Sequence, residues 1–184
     1  IVEPEHIHKI QVLHKDYLRC AHIIIDDVID VSKKEVKTKK KKYSYDYLII
    51  SSGSKYNTPI KEMDLVIATR AQELREYASK LERAEKVLII GGGIVGVELA
   101  GEICDKYPQK KITIVHSKSE LIERNPPKAR KYVEKILKQK GVEILFNEKV
   151  TQCEKKSYCT DQQRVIPNDL AFLCTGIIPN YEFL

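Results

Sequence analysis

The chain has 184 residues, an apolar fraction of 42% and a formal net charge of +6. That length suits one domain and a fraction of another. No run approaches the ~20 apolar residues of a membrane span, and no secretory signal is visible. Five cysteines (Cys20, Cys104, Cys153, Cys159 and Cys174) form no C-x-x-C pair. This fits free, mostly buried thiols in a reducing compartment, and the histidines are too scattered for a zinc site. An intracellular setting, cytoplasmic or mitochondrial, is the expectation. The start at Ile1 leaves room for a lost targeting segment.

Residues 5–20 are mixed and suit a short helix. Residues 21–32 are rich in β-branched side chains (Ile23, Ile24, Ile25, Val28, Ile29 and Val31) and predict one strand. Lys33 to Lys42 then turn the chain back, with Val36 in a short strand. Seven lysines and Glu35 give this run the whole net charge of +6. One reading is a patch for nucleic acid, an acidic partner or an anionic membrane surface. The preferred reading is a solvated hairpin tip, because no aromatic interleaves the lysines. Tyr43 to Ser52 predict another strand, ending at Ser51-Ser52-Gly53-Ser54, and residues 54–64 read as a linker.

Ala71, Leu74, Tyr77, Ala78 and Leu81 form a stripe of helical period over residues 70–84. Val87 to Ile90 are four apolar residues that run straight into glycines. Gly91, Gly93 and Gly96 fall at G-x-G-x-x-G spacing, and an apolar helical pattern follows at once. A second strand, Ile112 to Val115, completes a βαβ unit of about 30 residues, the context that gives this fingerprint its meaning. Gly91 permits the tight turn, Gly93 lets backbone approach a pyrophosphate, and Gly96 lets the helix pack on the strand. The free N–H groups of the first helical turn, Ile94 and Val95 among them, would face the negative charge.

An acid is expected on the ribose 2′-OH about 20 residues past the glycines. There the chain reads Val115-His116-Ser117-Lys118-Ser119. His116 and Lys118 would not repel a 2′-phosphate, so NADPH stays open beside NADH. The alternative is that both side chains merely face water. Pro126-Pro127 then open a helix to about Lys140, stopped by Gly141, and Val142 to Phe146 predict a third parallel strand. Residues 148–167 read as a β-meander, and Asp169 to Cys174 as a last strand ending Thr175-Gly176. Cys153 and Cys159 flank the meander's hairpin. They could meet across it, although separate thiols are preferred. The pattern predicts an α/β fold: a Rossmann-like domain with a parallel sheet and a β-meander.

Three segments together resemble the FAD-dependent pyridine nucleotide–disulfide oxidoreductase superfamily. Tyr45 to Gly53 resembles the strand and turn before its nicotinamide-nucleotide domain. Gly91 to Glu102 resembles its NAD(P)H loop, and Leu173-Cys174-Thr175-Gly176 with Pro179-Asn180 resembles its return strand. Ala68 to Leu74, the Val-Glu-Leu-Ala-Gly-Glu run and Ile114 to Ser117 look like the apoptosis-inducing-factor-2-like and type II NADH dehydrogenase branch.

The resemblance implies a partial FAD-domain segment over 1–64, an NAD(P)H-binding domain over 65–176, and a return into the FAD domain over 177–184. A first glycine fingerprint for FAD and the C-x-x-x-x-C redox pair are absent and expected upstream of Ile1. The Gly-Asp motif after the return strand is absent as well. The implied cofactors are NAD(P)H and, in the intact protein, FAD; this chain alone would be inactive. Glu98 would orient the nicotinamide carboxamide, against the alternative of a solvent-facing first-turn acid. His116 and Lys118 would border the adenosine ribose. Thr175 and Gly176 would lie where nicotinamide meets flavin, with Ser52 and Gly53 on the FAD side. The alternative for both glycines is an ordinary strand-end turn. No general acid or base is implied. Electrons would pass to a quinone-like acceptor, and a homodimer is left open. The competing class is a dinucleotide-sensing binding module that docks through Lys33 to Lys42.

Overall fold

A computed structural model describes the chain except residues 1, 4, 6–8, 10–11, 57–66 and 155–156. Two compact units emerge: residues 1–5 with 56–176, and residues 6–55 with 177–184.

The larger unit is built on a four-stranded sheet. Its strands are β5 (Lys86–Ile90), β6 (Lys111–His116), β7 (Glu143–Phe146) and β11 (Leu170–Leu173), in the order β11-β5-β6-β7. All three pairings are parallel. Crossovers run through α3 (Ile94–Lys106) and α4 (Pro127–Gln139), while α2 (Ile67–Arg83) leads into β5. The meander is β8 (Val150–Glu154), β9 (Ser157–Thr160) and β10 (Val165–Pro167), all antiparallel.

Alternation along β5 explains the layering. Val87 and Ile89 enter one apolar cluster with Leu81 of α2, Ala100 and Ile103 of α3 and Leu137 of α4. Leu88 and Ile90 enter another with Tyr158 of β9 and Ile166 of β10. Successive strand residues face opposite ways, so helices cover one face and the meander the other. A strand buried on both faces must be apolar throughout, as Val87 to Ile90 are. The predicted α/β fold, a parallel sheet with a meander, is what forms.

Polar ties fix the ends. The Asp169 carboxylate accepts from the Glu85 and Lys86 N–H groups (3.0 and 2.8 Å), aligning the starts of β11 and β5. Lys110 Nζ donates to the Glu82 carbonyl at 3.0 Å and to that of Ala84, satisfying the exit of α2. Buried Glu148 accepts from Thr160 Oγ1 (2.8 Å) and Arg164 Nε (3.1 Å), pinning the meander to the end of β7. Gly141 ends α4 at φ +83, a conformation that favours glycine.

The smaller unit holds β1 (Val28–Val31), β2 (Glu35–Thr38) and β3 (Lys42–Ser44) in an antiparallel sheet. It also contains α1 (His14–Tyr17), a short helix within the span 5–20 where one is expected, while described residues 12–13 and 18–20 are not helical. Two strand expectations are corrected here. The strand predicted over 21–32 forms only at 28–31, and the one over 43–52 stops at Ser44. Pairing sets both limits: β2 offers partners only from Val36 to Thr38 on the β1 side and Glu35 to Lys37 on the β3 side. Ile23 to Ile25 and Leu48 to Ile50 have strand composition but no partner strand, and remain exposed. β4 (Ser54–Tyr56) pairs with β12 (Ile177–Pro179) where a linker was expected, and residues 57–64 of that linker lie outside the described residues.

Among the described residues no helix is long and apolar enough to cross a membrane. Cys20, Cys104, Cys159 and Cys174 carry free thiols. In the meander's register Cys153 faces Tyr158 and Cys159 faces Gln152, so the two cysteines are not direct cross-strand partners.

Candidate functional site: the glycine loop at the sheet's switch point

Strand order reverses between β5 and β11: β6 and β7 add on one side of β5, and β11 on the other. In open parallel sheets such a switch point leaves a crevice at the carboxyl ends of the strands, where ligands bind. Gly91 to Gly93 follow β5 at that place, and Cys174 to Gly176 follow β11. The Cys174 N–H donates to the Ile90 carbonyl at 2.7 Å, and the Gly91 N–H to the Val115 carbonyl at 2.8 Å.

Each fingerprint glycine has its own reason. Gly91 sits at φ +115, and a Cβ there would stand 2.4 Å from the Cys174 carbonyl oxygen. A Cβ on Gly96 would stand 2.0 Å from the Gly91 oxygen and 3.2 Å from Ile89 Cγ2, so α3 packs onto its own loop. Gly93 differs: its φ is −74, and a Cβ there would meet nothing within 4 Å. The fold itself does not require glycine at that point. The open space over Gly93 is what a bound pyrophosphate would use. Gly93 is also the N-cap of α3, and no side chain caps the helix. The N–H groups of Ile94 and Val95 therefore have no helical acceptor and face the same space with the positive end of the dipole. These residues fit the pyrophosphate of a dinucleotide.

The other candidates are distributed as follows. Ile94 is exposed, whereas Val95 packs against the core. Glu98 is exposed on α3 and makes no hydrogen bond or ion pair with a described residue. Its exposure agrees with the solvent-facing alternative, but as the fifth residue of the helix it lies past the first turn, and that part of the alternative is corrected. Lys118 is exposed, and its carbonyl accepts from the Asn147 N–H at 3.1 Å. Thr175 and Gly176 are exposed beside the glycine loop, with Gly176 at φ +115.

His116 does not face water. It is 8% exposed, and both ring nitrogens are engaged. Nδ1 accepts from the Gly92 N–H at 3.1 Å, and Nε2 lies 3.2 Å from Glu123 Oε2. Neither nitrogen is left for a 2′-phosphate. Two participants escaped the sequence reading. Gly92 is the unspecified position of the fingerprint, and Glu123 reaches the ring from a loop whose path no spacing rule gives.

In the smaller unit, Ser52 Oγ donates to the Asn180 carbonyl at 2.5 Å, and Asn180 Nδ2 donates to the Ser52 carbonyl at 2.9 Å. The Asn180 N–H also donates to the Gly53 carbonyl at 3.0 Å, with Gly53 at φ +68. These contacts make a braced strand-end turn. They build no flavin-shaped cradle by themselves.

The lysine run is less bare than its sequence suggests. Lys39 pairs with Asp27, and Lys42 with Glu35 at 3.3 Å. The Asp26 carboxylate accepts from the Lys40 N–H at 3.1 Å. A hydrogen bond with the Thr38 side chain holds the Asp26 carboxyl below its ordinary range. Folding brings Asp26 and Asp27 to lysines that in sequence have only Glu35 among them.

The fold and the loop define a dinucleotide-binding α/β protein. The pattern of the pyridine nucleotide-disulphide oxidoreductases matches residues 2–184, and the chain belongs to that family. Apoptosis-inducing factor homolog B of Dictyostelium discoideum is 31% identical over 212 residues, covering 99% of this chain and 54% of that protein. Human ferroptosis suppressor protein 1 is 32% identical over 144 residues, covering 72% of this chain and 39% of that protein. A ferredoxin reductase from Rhodopseudomonas palustris superposes with a TM-score of 0.77 at 15% identity, over 99% of this chain and 50% of that one. A water-forming NADH oxidase from Lactobacillus brevis, solved with NADH bound, gives 0.67 at 23% identity, over 85% of this chain and 38% of that one. The chain spans about half the length of the two Dictyostelium relatives it matches.

Proposed function

We propose that this chain is the NAD(P)H-binding portion of an FAD-dependent oxidoreductase that hands electrons to a quinone-like acceptor. Gly93 carries the reading: it is a glycine that packing does not need, at the helix start and at the switch point. The backbone N–H groups of Ile94 and Val95 bind the pyrophosphate. Glu98 orients the carboxamide of the nicotinamide, and the exposed Thr175-Gly176 turn borders that end of the site. Lys118 lies at the adenosine end. Ser52 and Gly53 belong to the flavin side. Bound flavin supplies the hydride-accepting ring and the relay to the acceptor, chemistry that no side chain here provides.

The test uses Gly93 directly. Val at position 93 meets no protein atom at its Cβ and suits the backbone φ of −74, so the fold should survive. The side chain would fill the phosphate approach, so Gly93→Val should abolish NADH binding, read by calorimetry or fluorescence, with an unchanged melting temperature. Unchanged NADH affinity would refute the assignment. For the fuller activity, the protein at its natural length should be yellow and oxidise NADH with a quinone. Isolation without flavin would sink that part alone.

A further inference from the structure

We propose that the His116–Glu123 pair is a positioning device that sets the glycine loop for the nucleotide. This rests on the reading of that loop as the NAD(P)H site. Gly92 is held from both sides. Its N–H donates to His116 Nδ1 at 3.1 Å, and its carbonyl accepts from the Ile122 N–H at 2.9 Å. A Cβ on Gly92 would lie 2.5 Å from Leu121 Cδ2 and 2.9 Å from His116 Cγ. The peptide next to Gly93 is thus clamped by the end of β6 and the loop after it.

The pair dictates a proton position. Nδ1 accepts, so the ring proton sits on Nε2 and points to the Glu123 carboxylate, 3.2 Å away. Glu123 is held in turn, since its carbonyl accepts from Arg130 Nη1 at 3.2 Å. Arg130 also pairs with Glu120 at 2.9 Å. Ile122 sits at φ +43, a region that β-branched residues avoid. That conformation places its N–H on the Gly92 carbonyl, with Leu121 fully buried beside it. A strained residue and a buried, doubly bonded histidine both converge on one glycine peptide. Such convergence over-determines the loop geometry. A fixed loop presents the Ile94 and Val95 N–H groups without a reorganisation cost on binding. His116 touches no ligand in this account; it acts through Gly92.

The experiment compares variants of the protein at its natural length. It measures the NADH dissociation constant, KM against kcat, and melting temperature. His116→Leu removes the acceptor and should weaken NADH about tenfold or more, as losing a buried hydrogen-bond partner does. The change should fall on KM, with kcat retained. His116→Asn offers Oδ1 to the same Gly92 N–H and should recover affinity to within about threefold. Glu123→Lys is a second route that spares the core, because the Glu123 side chain is 43% exposed. An ammonium there turns Nε2 into an acceptor and moves the proton to Nδ1, opposite the Gly92 N–H. NADH should weaken about fivefold. The proposal is overturned if His116→Leu, or Glu123→Lys where the first fails to fold, leaves NADH affinity unchanged. It is overturned equally if Asn and Leu at 116 weaken binding alike. Gly93→Val separates the two levels. If it abolishes binding while the His116 variants do not change it, only the positioning role fails. If it too leaves binding unchanged, the site itself is wrong.

Discussion

β5 and the segment around β1 have nearly the same composition and opposite fates. Val87 to Ile90 are β-branched or leucine residues, and all are buried. Ile23 to Ile25, Val28 and Ile29 are as apolar, and all are more than a third exposed. The difference lies in the neighbours. β5 has a parallel strand on each side, helices on one face and a meander on the other. β1 is an edge strand with one partner. Apolar composition gives a strand its capacity for burial, and only the layers around it use that capacity.

The largest expected effect sharpens this contrast. Phe172 of β11 is fully buried in the helix-side cluster, so Phe172→Ala should cost about 3–5 kcal/mol by urea denaturation. Ile29→Ala in β1, where the side chain is 44% exposed, should cost less than about 1 kcal/mol. Similar costs at the two positions would mean that the smaller unit has a core of its own which these residues do not reveal.

What could be read from the sequence follows the same division. The larger unit was legible because its signals are local and mutually consistent. The stripe of Ala71 to Leu81, the run of Val87 to Ile90, the glycine spacing, the run of Ile112 to Val115 and Pro126-Pro127 each mark one element, and α2, β5, α3, β6 and α4 all form. The smaller unit misled because strand length there depends on partners, which composition does not reveal. At the site, glycine spacing located the loop. It did not show that Gly91 and Gly96 are needed for packing while Gly93 is not, since that is a matter of three-dimensional clearance. In the sequence His116 stands where an acid is expected and reads as a neighbour of the adenosine ribose. Its bond to Gly92 and its contact with Glu123 depend on a turn through Ile122 that no sequence pattern encodes.

A second effect tests the depth of burial at the end of β11. Burial pushes the Cys174 thiol up to about 11. The folded state therefore keeps its proton where the unfolded chain, with an ordinary cysteine pKa of 9.0, has already lost it. Protons bound by the native state exceed those bound by the unfolded state between these values, so stability falls as pH rises. The contribution is complete below about pH 9 and is lost on passing through about 11, amounting to roughly 3 kcal/mol. Replacing Cys174 with Ala should flatten the denaturation midpoint over that window. Thiol labelling at pH 8 should also reach exposed Cys20 well before Cys174 and Cys104, whose thiol burial raises as well. Prompt labelling of Cys174 would show that the end of β11, beside Gly91, opens readily.

The smallest effect is expected in the hairpin. Lys39 and Asp27 are both largely exposed, as are Lys42 and Glu35. Exposed pairs contribute about 0–1 kcal/mol, because water screens them and ordering two long side chains costs entropy. Lys39→Gln with Lys42→Gln should therefore shift the urea midpoint little and leave NADH affinity unchanged. The same double variant weighs the lysine run as a docking patch. Asp26 and Asp27 already meet part of that charge, so nucleic-acid binding at physiological salt should be weak and unaltered by the change. Tight, salt-sensitive binding that disappears with these lysines would reverse the contrast drawn here. It would make the exposed unit the recognition surface, and the buried sheet only its support.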